Sequence, residues 1–268
     1  MNPMNEATSD GGTMPPADTL PTRAGPLEYT VSGAGAATIV LLSGAGMTLE
    51  GWSALYPAIE RLGRVFAWNR FGVRGSADPA VPLDGATVVA CLRELLGRAG
   101  LAPPYVLVGH SLGGLFANLF ARLHPAEVAA VLFLEATHPR DDEVLEQDEA
   151  QLRRALGRLL DEPASAFEAN LHAEIEAAGD TVRQVAAAGR FPPVPVAVIT
   201  GAMDPPGSLL PPAAAQARRA RQEALARLSP QGEHVIAGRS GHFPQRSEPG
   251  LVLDVLARLV ARALPAGR

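Results

Sequence analysis

Residues Val106 to Leu115 read V-L-V-G-H-S-L-G-G-L, and no other stretch restricts the chain as much. An apolar run of β type ends in Gly-x-Ser-x-Gly and continues into a helical pattern. A serine on a sharp turn between a buried strand and a helix projects its hydroxyl beyond the strand's C-terminal edge. Such a turn presses backbone against backbone, so Gly109 and Gly113 supply room that a Cβ would fill. The helix that follows starts at Ser111 and aims N–H groups and its positive end toward an oxyanion. A glycine-flanked serine can also simply cap a helix. The strand before it and the helix after it favour a nucleophile.

Around this centre the pattern alternates strand and helix. Leu27–Val31 predicts a half-buried edge strand, and the glycine turn at 33–36 closes a hairpin. Ile39–Leu42 and Val106–Val108 are continuous apolar strands of the kind covered on both faces. Helical spacing marks Trp52–Leu62 and Asp84–Ala99, with the short strand Val65–Trp68 between them. The strand Val128–Leu134 follows the helix that Ser111 opens. This alternation predicts an α/β fold with a doubly wound, mostly parallel sheet.

After Glu135 the alternation stops and resumes at Val194–Thr200. The intervening segment of about sixty residues exceeds ordinary connections, which predicts a helical cap insertion over residues 136–193. It includes helices at Glu143–Leu160 and Ala166–Ala177. Phe167, Leu171 and Phe191 are expected to line a cavity beneath it. The sheet then continues through Arg218–Leu228 (helix), Val235–Ala237 (strand) and Leu251–Ala263 (helix). The core is accordingly assigned to residues 24–135 and 194–268. Residues 1–23, without a basic start or an apolar h-region, are expected to be a flexible tail and no targeting signal.

Composition narrows the function classes. A net charge of −5 provides no basic footprint for nucleic acid or an anionic membrane surface, and no apolar run reaches spanning length. Cys91 is the single cysteine, so no internal disulfide forms. No His or Cys cluster has metal-ligand spacing, and neither a metal nor a cofactor is expected. Gly44–Ala45–Gly46 after a strand raises a dinucleotide loop, but position 49 is Leu49 and the next strand ends in Asn69–Arg70, not an acidic residue. The expected partner is a neutral small molecule, the expected location the cytoplasm, and the sequence leaves the oligomeric state open.

Ser111 needs a base and a carboxylate to orient that base. Of six histidines, His242 lies in a Gly-His loop just after the last strand, where ligand-facing residues of such sheets collect. His138 follows a strand end and is expected near substrate.

At these residues the chain resembles the α/β-hydrolase family, along nearly its whole length after Leu27. Gly109–Gly114 looks like the nucleophile elbow, Ser240–Phe243 like the histidine loop, and Gly201–Asp204 like the acid-bearing turn, in the order Ser, Asp, His. The resemblance implies Ser111, His242 and Asp204 as a triad, with Glu135 as the alternative acid because some members place it after that strand. It implies oxyanion donors at Ala45 and Leu112, and substrate contacts at Gly44, Met47, Trp52 and His138. Ser43–Gly44 and Asn69–Arg70 depart from the His-Gly and Asp-Arg that many relatives carry. The activity implied is serine hydrolysis of a small, fairly apolar carboxylic ester or lactone. A serine nucleophile argues against the haloalkane dehalogenases and epoxide hydrolases of this fold, which use aspartate. A triad-bearing binding protein, a cofactor-free C–C hydrolase and a haloperoxidase-like enzyme remain alternatives.

Overall fold

A computed structural model of the chain describes residues 13–36, 38–140, 171–203 and 212–264. Eight strands form one sheet: β1 (Asp18–Thr22), β2 (Gly25–Ser32), β3 (Thr38–Leu42), β4 (Arg64–Trp68), β5 (Tyr105–His110), β6 (Val128–Leu134), β7 (Val196–Gly201) and β8 (Gly232–Ala237). Their order is β1-β2-β4-β3-β5-β6-β7-β8. β1 and β2 are antiparallel to each other, β2 is antiparallel to β4, and all remaining neighbours are parallel. The described helices are α1 (Tyr56–Glu60), α2 (Gly85–Arg98), α3 (Leu112–Leu123), α4 (Leu171–Glu176), α5 (Ala178–Ala187), α6 (Pro212–Ala226), α7 (Pro244–Ser247) and α8 (Pro249–Ala263).

Strand alternation divides the core between the two faces. Leu107, Val131 and Val198 point into the layer with α2 and α3, whereas Val106, Val108, Leu132 and Ile199 point into the layer with α1 and α8. Every residue of β3, β5, β6 and β7 is buried, which accounts for their unbroken apolar runs. Asp84 caps α2 by accepting the Thr87 N–H at 2.8 Å, a contribution of about 1 kcal/mol. The doubly wound parallel sheet is as the periodicity predicts.

Three local expectations differ from the structure. Residues 18–22, assigned to the tail, form β1 on the edge of the sheet. Only Leu20 and Thr22 are half-buried there, so the period-2 signal is too thin to read, and Pro21 is tolerated because an edge strand has one unpaired side. The hairpin joins β1 to β2, while the turn at 33–36 leads to β3, which pairs with β4 and β5 and not with β2. The helix expected over 52–62 is split into a 3-10 turn, Leu49–Trp52, and α1, because Pro57 is accepted in a helix's first turn and not in its interior.

The insertion also differs in its return leg. Of its predicted helices, Glu143–Leu160 lies outside the described residues. α5 packs against α2 and α3, Thr181 is fully buried, and Gln184 Oε1 accepts the Ala86 N–H at 2.8 Å. Residues 178–187 therefore belong to the helical layer of the core. Among the described residues no helix is long and apolar enough to cross a membrane.

Candidate active site

β5 ends in Gly109–His110, and Ser111 follows with φ 51° and ψ −122° before α3 begins at Leu112. Left-handed backbone of this kind costs a β-carbon residue about 1–3 kcal/mol and persists only where its surroundings impose it. They do so here. Ser111 N–H donates to Leu134 O at 3.1 Å, while Ser111 O accepts from Gly114 N–H at 2.9 Å and Thr137 N–H at 3.0 Å. A Cβ on Gly109 would stand 2.6 Å from Gly114 Cα, and one on Gly113 2.2 Å from Leu42 O, so the turn closes only with glycine at both sites.

His242 sits in the loop after β8 with its side chain 35% exposed. The loop is held from below. Ser240 is fully buried, and its Oγ donates to Glu248 Oε2 at 2.6 Å. His110 Nε2 donates to the His242 carbonyl at 2.8 Å. The rings of His110, His242 and Phe243 pack mutually with centroids 5.0–5.2 Å apart. Burial, and after it the neighbouring His242, pushes the His110 pKa down to about 3, so its imidazole is a neutral anchor.

Glu135, the residue after β6, has φ 45° and a carboxylate 1% exposed. Its Oε1 accepts the Gly201 N–H at 2.7 Å, and its Oε2 lies 3.5 Å from His242 Nδ1 and is paired with Arg218 of α6. Burial alone would raise this carboxyl. The hydrogen bond from His242 and the charge of Arg218 outweigh it and hold the group below the ordinary carboxylate range. Asp204 lies outside the described residues. The turn leading to it is tied to the histidine loop, since Met203 N–H donates to Ser240 O at 2.9 Å.

The loop after β3 borders the serine. A Cβ on Gly44 would fall 3.2 Å from Ser111 Cβ and 3.1 Å from Met47 Sδ, which places Gly44 against Ser111 and Met47 beside Gly44. Trp52, expected on a cavity wall, is instead buried in the α1 layer, and its indole N–H donates to Ser43 Oγ at 3.0 Å. It acts on the loop through Ser43. Phe116 is buried in the layer of α2 and α3, lying under the Arg70 guanidinium. His138 is buried next to Thr137, and its Nδ1 accepts the Arg140 N–H at 3.0 Å. Burial, and then the charges of Arg140 and Arg221, lower its pKa to about 4. Phe191 packs against Phe133 and Arg122, on the flank of α3's C-terminal end, and not around Ser111. Leu171 of α4 touches Gly46, and Phe167 lies outside the described residues.

The structure thus brings Gly44, Ala45, Ser111, Leu112, Glu135, His138 and His242 to the C-terminal edge of β3, β5, β6 and β8. Sequence reasoning did not find the contacts of His110 with the His242 loop, of Arg218 with Glu135 or of Glu174 with Gly46. Only His110 carried a signal, its place inside the elbow. Among the described residues no group of three or more His, Cys, Asp or Glu side chains could hold a metal ion.

Solved structures share this fold. A thermophilic esterase from Thermogutta terrifontis aligns over 93% of this chain and 99% of its own, with 18% identity and a TM-score of 0.64. The enol-lactonase from Burkholderia xenovorans aligns over 91% and 100%, with 17% identity and a TM-score of 0.66. A haloalkane dehalogenase variant from Bradyrhizobium elkanii aligns over 92% and 97%, with 19% identity and a TM-score of 0.66. By sequence, the uncharacterized protein YbdG of Bacillus subtilis is 28% identical over 110 residues, 40% of this chain and 34% of that protein. An uncharacterized Schizosaccharomyces pombe protein is 38% identical over 73 residues, 27% of this chain and 14% of its own length. The chain spans well under half the length of either relative. The family model of the alpha/beta hydrolase fold matches residues 37–184, more than half of the chain, and the chain belongs to that family.

Proposed function

We propose that this protein is a serine hydrolase of small, fairly apolar carboxylic esters or lactones, working through an acyl-enzyme on Ser111. The observation that carries the reading is the conjunction of a strained serine after β5 with a buried Glu135 carboxylate facing His242 Nδ1 from the end of the adjacent strand. An orienting carboxylate holds the imidazole with its proton on Nδ1, leaving Nε2 as the base. His242 takes the Ser111 proton as Oγ bonds to the carbonyl carbon. The developing oxyanion is met by the N–H groups of Ala45 and Leu112. Collapse breaks the C–O bond, and His242 returns the proton to the departing oxygen. A water then repeats the sequence, releasing the acid and restoring Ser111. Gly44, Met47 and His138 border the acyl group. Glu135 serves as the triad acid in this reading, in preference to Asp204, because its carboxylate is already seated on His242 and Gly201. The esterase and lactonase among the proteins of like fold accord with the substrate class, and the fold with a small-molecule substrate.

The test is turnover of p-nitrophenyl esters of graded acyl length and of simple lactones, with fluorophosphonate labelling alongside. Wild type is expected to hydrolyse short esters and to label, and Ser111→Ala to lose about four to six orders of magnitude in kcat. A folded wild type that neither turns over nor labels ends the proposal.

A further inference from the structure

Arg70 and Glu174 form an ion pair beside the nucleophile, with side chains 3% and 1% exposed. Arg70 follows β4; Glu174 comes from α4, more than a hundred residues later, inside the insertion. A pair this deep is costly to desolvate and is poor evidence for stability by itself. Among the described residues its remaining hydrogen bonds go to one loop. Arg70 Nη1 donates to Ser43 O at 2.9 Å and Nη2 to Gly44 O at 2.7 Å; Gly46 N–H donates to Glu174 Oε2 at 2.8 Å. Arg70 Nε and Nη2 complete the fork on the carboxylate, and Phe116 lies under the guanidinium. The segment between these contacts is the turn Gly44–Met47, closed by Met47 N–H on Gly44 O, with Gly46 at φ 63° in its third position.

The peptide geometry gives these contacts a consequence for catalysis. In a trans peptide the C=O and the following N–H lie in one plane and point in opposite directions. Holding Gly44 O on Arg70 therefore turns Ala45 N–H away from Arg70. Glu174 fixes the next peptide through Gly46 N–H, so the plane cannot flip. Ala45 N–H takes part in none of these bonds, and Gly44 lies against Ser111.

We propose that Glu174 is a positioning residue through which the inserted segment sets the oxyanion loop: docking of α4 completes the Arg70 network and locks the Ala45 N–H toward the reacting carbonyl. The inference rests on the hydrolase reading for the role of Ala45. It makes the docked insertion part of the oxyanion hole, in addition to any part it has in substrate selection.

The experiment compares wild type, Glu174→Ala, Glu174→Gln and the double variant Arg70→Met/Glu174→Met. The double variant removes both charges and guards against loss of folding through an unpaired buried arginine. Circular dichroism checks the fold, ester hydrolysis gives kcat and KM separately, and hydrogen exchange follows the Gly46 amide. Glu174→Ala and the double variant are expected to lose about 30- to 300-fold in kcat with KM within about threefold, as when one oxyanion donor is misplaced. Gly46 exchange should accelerate at least tenfold in both, and Glu174→Gln, which keeps an acceptor, should fall between. Unchanged Gly46 exchange in the folded variants overturns the inference, as does faster exchange with kcat within twofold of wild type. A folded wild type that turns over no ester or lactone and takes no fluorophosphonate label ends the hydrolase reading and, with it, the catalytic role assigned to Ala45; retained activity with undisturbed variants ends only the inference.

Discussion

Ser111 and Glu135 leave neighbouring strands with positive φ, 51° and 45°, and their segments are cross-tied: Ser111 N–H to Leu134 O, Thr137 N–H to Ser111 O. Each turn thereby fixes the other, and the Ser111 hydroxyl and the Glu135 carboxylate share one edge of the sheet. If this shared edge is the catalytic one, Glu135→Gln should lower kcat on p-nitrophenyl butyrate by about 10³–10⁴-fold with the fold intact, as when a triad acid becomes an amide. Asp204→Asn should stay within about threefold of wild type. Reversed sizes of the two effects would move the acid to Asp204.

Arg218 shares Glu135 Oε2 with His242, and its charge helps keep the carboxyl ionised. Replacing it by methionine should raise the Glu135 titration midpoint, read by ¹³C NMR of labelled glutamate. The sign for stability follows from linkage. A carboxyl whose folded value is depressed contributes stability above its unfolded value, and that contribution disappears as the pH falls through the folded value. Arg218→Met should therefore lose urea resistance at a higher pH than wild type does. Coincident titration curves would remove Arg218 from the network.

His110 behaves oppositely from the usual paired histidine. Its folded pKa, about 3, lies below the ordinary 6.5, so the unfolded chain takes up a proton that the native state refuses. Acidification from about pH 6.5 toward 3 should cost several kcal/mol at this one site. In His110→Gln, urea midpoints measured between pH 7 and 4 should fall less steeply than in wild type. Parallel slopes would show that another group governs acid unfolding.

Two glycine substitutions should have opposite signs. Gly113→Ala drives a methyl to 2.2 Å from the Leu42 carbonyl, backbone that cannot yield, and is expected to cost more than about 3 kcal/mol or to prevent folding. Gly97→Ala in α2 meets nothing within 4 Å and should stabilise by about 0.5–1 kcal/mol. Thermal melts of the pair, run together, check both.

The sheet was legible because β3, β5, β6 and β7 are buried on both faces and announce it as unbroken apolar runs. Ser111 and His242 were legible because each sits in a glycine turn after a strand. β1 was hidden because its pairing is made by backbone, with little side-chain periodicity. Trp52 read as a wall residue because an indole at that spacing looks the same whether it faces a cavity or, as here, donates to Ser43. The choice between Glu135 and Asp204 was open because either strand end can reach one histidine; the structure describes Glu135, 3.5 Å from His242 Nδ1, while Asp204 lies outside the described residues. Arg70 and Glu174 could not be paired from sequence, since a contact between residues 104 positions apart leaves no local pattern.

The return of residues 178–187 into the layer beside α2 and α3 has a consequence for how such a chain can diversify. Any replacement of the segment between β6 and β7 must leave the Gln184 and Thr181 contacts with α2 in place, or the core itself is opened. The part that can be replaced without opening the core is accordingly shorter than the interruption in the strand pattern: it ends before Ala178. If it is to keep the loop beside Ser111 in order, it must bring with it an acceptor for Arg70.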